Sequence, residues 1–282
     1  MREAESRSRE KYIFSYFLLT LAPRSWYIRP ATTKRHLQPA HGSRRLLKPS
    51  LTDKAHQQIK EWIVRYHLKP GARLHVSDLA GALQMSQTPV REALSMLEKE
   101  HLIEREPQKG FRVSTLNIQG VEDLYDLRIA LEVLAARQAA RRMSAADRRR
   151  AARLLAEVGR RMHNGDKQRI LQLEQDFHLI ILDASGNKPL AELGRTILDR
   201  IWIIQNINLL TTDHLTDAHP QHLNLFAAIT DGDPARAARL MERHLRFAKA
   251  FVLSRLKADG DILSKLMMGF PSTRSTVNPG EL

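Results

Sequence analysis

The order of helical and turn signals in residues 51–116 is the feature that most constrains the fold of this chain. A first amphipathic helix is predicted over residues 54–68, and Lys69-Pro70-Gly71 is expected to end it. Ser77 suits the N-cap position of a short helix over residues 78–83, because its hydroxyl can accept a hydrogen bond from a first-turn backbone N–H. A turn then leads into a third helix.

The third helix is predicted to start after Ser86 and to run to about Glu100, with Pro89 tolerated in its first turn. One face carries an apolar stripe, and the opposite face carries side chains that can hydrogen-bond a DNA backbone or base edge. The stripe consists of Val90, Ala93, Leu94 and Leu97, and the polar face of Gln87, Thr88, Arg91 and Ser95.

A short hairpin is predicted next. Its strands cover residues 102–105 and 111–114, and the loop 106–110 joins them with Lys109 at the tip. Helix, short helix, turn, helix and hairpin is the order of a winged helix-turn-helix, in which the N-terminal residues of the third helix read bases in the major groove.

Composition supports this interpretation only weakly. The net charge is +14, but residues 1–50 hold 11 Lys/Arg against 3 Asp/Glu, so most of the excess precedes the predicted DNA-binding module. The chain has no cysteine, which excludes disulfides and thiolate chemistry and leaves His, Asp and Glu as metal ligands.

No segment is predicted to span a membrane, since the apolar run Tyr12–Leu21 is far shorter than a bilayer requires. The run resembles a short signal-peptide core, but Pro23 and Arg24 follow where a cleavage site of small residues is expected. We expect a cytoplasmic protein whose residues 1–50 form a disordered basic arm or lie upstream of the true start. Residues 259–282, rich in Gly and Pro, are predicted to be a disordered tail.

Residues 117–258 are almost wholly helical in pattern, and histidines recur there at informative spacings. Glu174 and His178 lie four residues apart, hence on one helix face. His222 and His244 lie at nearly equal distances from the turn 231–234, so an antiparallel helical hairpin places them side by side. Three imidazoles and one carboxylate suit Zn²⁺, Ni²⁺, Mn²⁺ or Fe²⁺. Taken singly, each histidine is more often a surface or core residue than a ligand.

Residues 51–116 contain four short motifs, which are Leu68–Leu74, Asp78-Leu79-Ala80, Ser86–Leu94 and Leu97–Ile103. By these motifs the segment resembles the DNA-binding domain of the GntR family. By this resemblance Thr88 and Arg91 contact the operator, with Ser86 and Gln87 beside them, and Lys109-Gly110 forms the wing tip. The family usually has Arg where this chain has Gln87, which implies an altered sequence preference. For Arg91 taken alone, a solvated charge on the helix surface is as good an interpretation as a DNA contact.

The helical region contains five motifs, which are Val121–Glu132, Phe177-His178, Ala184–Asn187, His222 with Ala228-Ile229, and Gly232–Pro234 with Met241–Leu245. By these motifs it resembles the FCD domain of the FadR subfamily of GntR regulators. The resemblance implies that Arg128 lies in an effector pocket, and the alternative is that Arg128 only forms an ion pair with Glu132. It also implies that Asn187 caps a helix. Metal-binding members have Asp where this chain has Glu174, whereas Asp176 points away from His178.

The sequence therefore predicts a mainly α protein with an N-terminal winged helix-turn-helix and a C-terminal all-α antiparallel bundle. We expect a homodimeric transcriptional regulator that binds an inverted-repeat operator in double-stranded DNA and responds to a small carboxylate effector. The apolar run 202–207 is interpreted as core or dimer interface. Two alternatives are a DNA-binding dimer without an effector response and a metal-dependent enzyme, although no HExxH motif or recognisable nucleophile is present.

Overall fold

A computed structural model describes residues 49–162, 166–206, 212–260 and 264, all within one compact unit. The predicted basic arm up to residue 48 lies outside the described residues. So do Ile207 and most of the predicted tail. Across the described ranges, none of the helices is both long enough and apolar enough to cross a bilayer.

The N-terminal part consists of three helices and a small antiparallel sheet in the strand order β1-β3-β2. Arg112 of the central strand pairs with Arg73 on one side and with Glu104 on the other. This is the winged helix-turn-helix expected from the sequence. The elements are α1 Leu51–Val64, β1 Arg73–Leu74, α2 Val76–Leu83, α3 Gln87–Lys99, β2 Ile103–Glu106 and β3 Gly110–Val113.

The first two helices differ from the prediction at their ends. Helix α1 begins earlier, because Ser50 and Asp53 form a capping box, and it ends at Val64, where the chain turns through a positive φ at Tyr66. Helix α2 begins at Val76, so the expected cap Ser77 lies inside its first turn and donates its hydroxyl to Asp78 instead.

Helix α3 matches its prediction closely, and all four residues of the apolar stripe are fully buried. Ser86 is the N-cap residue, although its side chain makes no capping hydrogen bond. The wing loop is shorter than expected: Glu106 pairs with Gly110 across the hairpin, which leaves residues 107–109 as the connection. Gln108 and Gly110 both take positive φ there, and this closes the tight turn.

Six helices form the C-terminal part, and the first of them is central. It packs against the third, fourth, fifth and sixth helices of the bundle. Four buried alanines, at positions 135, 136, 139 and 140, let neighbouring backbones approach its buried face closely. The helices are α4 Ile118–Arg142, α5 Ala145–Arg161, α6 Lys167–Ala184, α7 Lys188–Asn206, α8 Thr212–Thr230 and α9 Pro234–Ala258.

Helix α7 connects the bundle to the winged helix-turn-helix. Trp202 and Ile204 are buried in the bundle core, whereas Ile203 is buried in the hydrophobic core of the winged helix-turn-helix. Asp199, one turn earlier, pairs with Lys60 of α1 at 2.6 Å. Trp202, Ile203 and Ile204 are therefore core residues, and they are shared between the two halves of the molecule.

Candidate DNA-reading surface and histidine site

The predicted DNA-contacting residues lie on one helix and on the wing. Ser86, Gln87, Thr88 and Arg91 occupy the start of α3, and all four side chains are exposed. Arg91 donates to the side-chain oxygen of Gln87 at 3.3 Å. The burial of the opposite stripe fixes the rotation of α3, so these polar groups face solvent in the unbound protein.

The wing is attached to the recognition helix by an ion pair. Arg105 of β2 donates to Glu98 of α3 at 3.0 Å, and its guanidinium lies 4.7 Å from the ring centre of Phe111. Lys109 and Gly110 are exposed at the end of the wing. The helix and the wing together form one polar surface.

The bundle brings three of the predicted metal ligands together. His178 comes from α6, His222 from α8 and His244 from α9, and all three side chains are buried. The Nε2 atoms of His178 and His222 are 3.2 Å apart, and those of His222 and His244 are 2.9 Å apart. The turn at Gly232, which has a positive φ, aligns α8 with α9 as the spacing predicted.

Each of the three imidazoles has an oxygen atom near its other ring nitrogen. His178 donates from Nδ1 to the Glu132 carboxylate, and His244 Nδ1 lies 3.3 Å from the side-chain oxygen of Gln221. His222 Nδ1 lies 3.5 Å from Glu174. Oxygen partners behind the coordinating imidazoles are typical of protein metal sites, because they orient each ring and fix its tautomer.

The electrostatics favour neutral imidazoles. Burial lowers the pKa of His178 even though Glu132 opposes this shift, and burial together with His222 and His178 lowers the pKa of His244 well below its usual value. Burial would raise the pKa of Glu132, but His178 and Arg128 lower it to about 2. Neutral imidazole is the form that binds metals.

The geometry of the three nitrogens fits a transition metal. Two imidazole nitrogens bound to one Zn²⁺ at about 2.0–2.1 Å lie about 2.9–3.4 Å apart for octahedral or tetrahedral angles. The two Nε2 separations above fall in that interval, and the potential ligand atoms of the three histidines all lie within 4.8 Å of one another. The residues present therefore fit the metal that the resemblance implies.

Two acidic residues of the same helix, Glu174 and Asp176, lie at different distances from the three histidines. Glu174 is buried and close to the histidines, but it is not among the residues whose ligand atoms converge, because its carboxylate lies behind His222. The extra methylene of Glu relative to Asp gives it a different reach. Asp176 is half-buried, and its neighbouring charges are Arg150 and Arg169, so it points away from the site as expected.

Both roles that the sequence left open for Arg128 have structural support. Its Nε donates to Glu132 at 2.6 Å, so the buried ion pair is present. Its side chain also lines the pocket that contains the three histidines. The sequence missed the contact of Glu132 with His178, and it missed Gln221. The sequence pointed to Glu132 as a partner of Arg128, since it lies four residues later on the same helix face. The contact of Glu132 with His178 depends on the packing of α4 against α6, which the sequence does not show.

The pocket beside the histidines is small, with a volume of about 30 Å³. This is room for an ion or one water molecule, whereas pockets for small organic ligands are about ten times larger. Helix α7 supplies one wall of the pocket through Leu198, Ile201 and Gln205. An organic ligand could enter only if a wall of the pocket moved.

A winged helix-turn-helix joined to an all-helical domain defines a class of DNA-binding regulators, and comparison with known proteins identifies the family. The profile described as bacterial regulatory proteins of the GntR family matches residues 51–113, and that of the FCD domain matches residues 123–247. The chain belongs to the GntR family and is a DNA-binding transcriptional regulator of the GntR/FCD type rather than an enzyme. The FCD match also fits the resemblance to the FadR subfamily.

Several curated relatives cover most of this region. The uncharacterized HTH-type transcriptional regulator YdhC of Bacillus subtilis is 31% identical over 160 residues, 56% of this chain and 71% of that protein. The Nta operon transcriptional regulator of Aminobacter aminovorans is 30% identical, covering 65% of this chain and 85% of that protein. The HTH-type transcriptional repressor GlaR of Escherichia coli is also 30% identical, covering 66% and 89%.

Solved structures support the same fold. The structure of E. coli McbR/YncC aligns with a TM-score of 0.66 at 24% identity and covers 73% of this chain and 98% of that one. A putative GntR transcriptional regulator from Rhodococcus sp. RHA1 aligns with a TM-score of 0.62 at 21% identity, covering 72% and 97%.

Proposed function

We propose that this regulator acts as a homodimer on an inverted-repeat operator in the cytoplasm, and that a small organic acid controls its operator affinity. The acid binds beside a divalent transition metal (Zn²⁺, Ni²⁺, Mn²⁺ or Fe²⁺) held by His178, His222 and His244. The observation that carries this proposal is the convergence of three buried imidazole nitrogens next to the buried Arg128.

The side chains around the metal site suit a carboxylate. Three imidazoles leave a transition metal with open positions, where a ligand oxygen can bind. Arg128 adds a fixed positive charge whose guanidinium can hold a carboxylate by two hydrogen bonds. Glu174 lies behind His222 without a hydrogen bond to its Nδ1, so it adds a nearby negative charge and is not one of the three converging ligands.

Effector binding is transmitted to the DNA-binding part through α7. The small pocket must widen for an organic acid, and α7 forms one of its walls. The same helix carries Asp199, which pairs with Lys60, and Ile203, which packs into the core of the winged helix-turn-helix. A ligand that prefers one position of α7 therefore shifts the population of DNA-head positions.

Operator reading is tested by selecting DNA duplexes from a random pool and measuring the dissociation constant of the best one by fluorescence anisotropy. Arg91→Ala is expected to reduce the preference for the selected operator over scrambled DNA by about tenfold or more, because a base-edge contact is lost. Arg246→Ala, which removes the same charge from an exposed site on α9, is the control. Equal preference in Arg91→Ala and the wild type would contradict the assigned recognition surface.

A second candidate function is DNA binding by a dimer that has no effector response. Two observations favour it: the pocket is small, and the Nε of Arg128 already pairs with Glu132. Melting temperatures of the zinc-loaded protein with lactate, succinate, citrate and gluconate distinguish the two. A rise with one acid that is absent in His178→Ala supports the effector-controlled regulator, whereas no rise with any of the four supports the second candidate.

A further inference from the structure

Helix α4 presents a continuous exposed row of side chains along the face that points away from the bundle. Six exposed residues follow one another at intervals of four, three, four, three and four, which is the spacing of a coiled-coil seam. Two of them are large and apolar, with Leu127 53% exposed and Leu134 40% exposed. The row, called the α4 seam below, consists of Asp123, Leu127, Ala130, Leu134, Arg137 and Arg141.

The α4 seam exposes more large hydrophobic side chains than most of the described surface of this molecule. Five large hydrophobic side chains are exposed in the part of the chain that the structure describes, and two of them are the leucines of the seam. The small Ala130 lies between them, so a second helix could approach closely at the middle of the row. The opposite face of α4 is already buried against four helices of its own bundle.

The charges of the seam are distributed asymmetrically. The acidic Asp123 stands at its N-terminal end, and the basic residues Arg137 and Arg141 stand at its C-terminal end. Asp123 accepts one hydrogen bond from Gln119 at 2.9 Å. Within the described ranges, neither arginine forms an ion pair. Each end of the seam thus carries a charge that an opposite charge from another molecule would satisfy.

We propose that the α4 seam is the surface on which a second copy of this chain docks, with the two α4 helices antiparallel about a two-fold axis near Ala130. This arrangement places Leu127 of each copy against Leu134 of the other, and Asp123 against Arg137. A parallel pairing would instead bring identical charges together at both ends. The inference rests on the homodimer proposed above and assigns its interface.

The charge pattern permits a reciprocal test on the full chain by sedimentation equilibrium. Asp123→Arg and Arg137→Asp, each alone, place like charges together twice per dimer and are expected to raise the dimer dissociation constant by about tenfold. The double variant Asp123→Arg/Arg137→Asp restores opposite charges, so its dissociation constant is expected to return to within about threefold of the wild type. Leu134→Glu is expected to weaken the dimer about a hundredfold.

Leu51→Glu is the matched control, because it places the same charge at another exposed leucine outside the seam. Circular dichroism verifies that every variant keeps its helical content. Single charge variants that dimerise as tightly as the wild type would overturn the assigned interface, and a double variant as weak as the single ones would overturn the antiparallel arrangement. A wild-type chain that stays monomeric would overturn the homodimer itself.

Discussion

At the scale of single residues, the histidine site depends on which nitrogen of each ring carries the proton. A carboxylate only accepts hydrogen bonds, so the contact of Glu132 with His178 Nδ1 places the proton there and leaves a lone pair on Nε2. Burial lowers the pKa of both His178 and His244, so the rings are held neutral and close together. The Nε2 lone pair of His178 faces His222 Nε2 at 3.2 Å, so at this contact either His222 donates from Nε2 or a cation lies between the two nitrogens.

A neighbouring histidine makes the stability of the protein depend on pH. His214 is buried and stacks on Phe251 with ring centres 4.1 Å apart, and burial lowers its pKa to about 4. Between pH 6.5 and pH 4 the unfolded chain therefore binds a proton that the folded protein does not, so stability is lost as the pH falls through this interval.

His214→Gln removes this titration while keeping a polar side chain. Between pH 7.5 and pH 4.5 the variant is expected to lose about 2 kcal/mol less stability than the wild type, measured as the free energy of unfolding in urea at both pH values. Equal losses in the two proteins would show that His214 does not titrate in this way.

At this scale the sequence predicted the three histidines and Arg128 but placed the acidic residues only in part. Spacing across one tight turn is visible in a sequence and was enough to pair His222 with His244, whereas the resemblance to the FCD domain was needed to join His178 to them. The contact between Glu132 and His178 depends on how α4 packs against α6, which no local pattern shows. The position of Glu174 behind His222 depends on side-chain length in a packed interior.

At the scale of elements, α7 matters most because it touches both the pocket and the DNA-binding part. Its close approach to α6 is made possible by Gly194. A Cβ atom at Gly194 would lie 2.6 Å and 2.8 Å from the two methyl groups of Leu182, which is itself fully buried. The glycine thus sets the distance between the two helices.

Gly194→Ala is expected to destabilise the protein by about 1–3 kcal/mol, because Leu182 has no room to move aside. Gly81→Ala is the matched control: Gly81 lies inside α2, where a Cβ would meet nothing within 4 Å, so alanine is expected to stabilise by about 0.5–1 kcal/mol. Urea midpoints measure both changes. A neutral or stabilising effect at Gly194 would show that the helices can separate without cost.

Periodicity predicted the existence and type of most elements, and the differences lie at their ends. The apolar stripe of α3 has the helical period of 3.6 residues, and it is buried as expected. The end of α1 was misplaced because Tyr66, rather than the Pro-Gly pair, turns the chain. The strand β1 is only two residues long and forms by pairing with β3, so it has no pattern of its own.

At the scale of the whole molecule, the proposed effector control requires that the pocket and the proposed DNA-reading surface share one equilibrium. The contact between them is an ionic cluster in which Lys60 pairs with Asp199 at 2.6 Å and with Glu100 at 2.9 Å. Burial lowers the pKa of Lys60, but Asp199 and Glu100 more than offset this and raise it, so the lysine stays charged. Asp199 is the residue of this cluster that lies on α7.

Asp199→Asn keeps the size of the side chain but removes its charge. We use the acid that raises the melting temperature most. We expect it to change the operator dissociation constant of the wild type by about fivefold or more. For Asp199→Asn we expect the factor of change to be less than half of the wild-type factor. Fluorescence anisotropy with and without the acid measures both ratios. Equal ratios would mean that the coupling does not pass through this ion pair.

The metal content of the purified full-length protein tests the central claim most directly. Elemental analysis after loading with Zn²⁺ and removal of the excess is predicted to give about one metal ion per chain in the wild type, and the same in His67→Ala, which removes an exposed histidine outside the site. His178→Ala is predicted to lose the metal. Little metal in the wild type, or equal metal in His178→Ala, would contradict the proposed site.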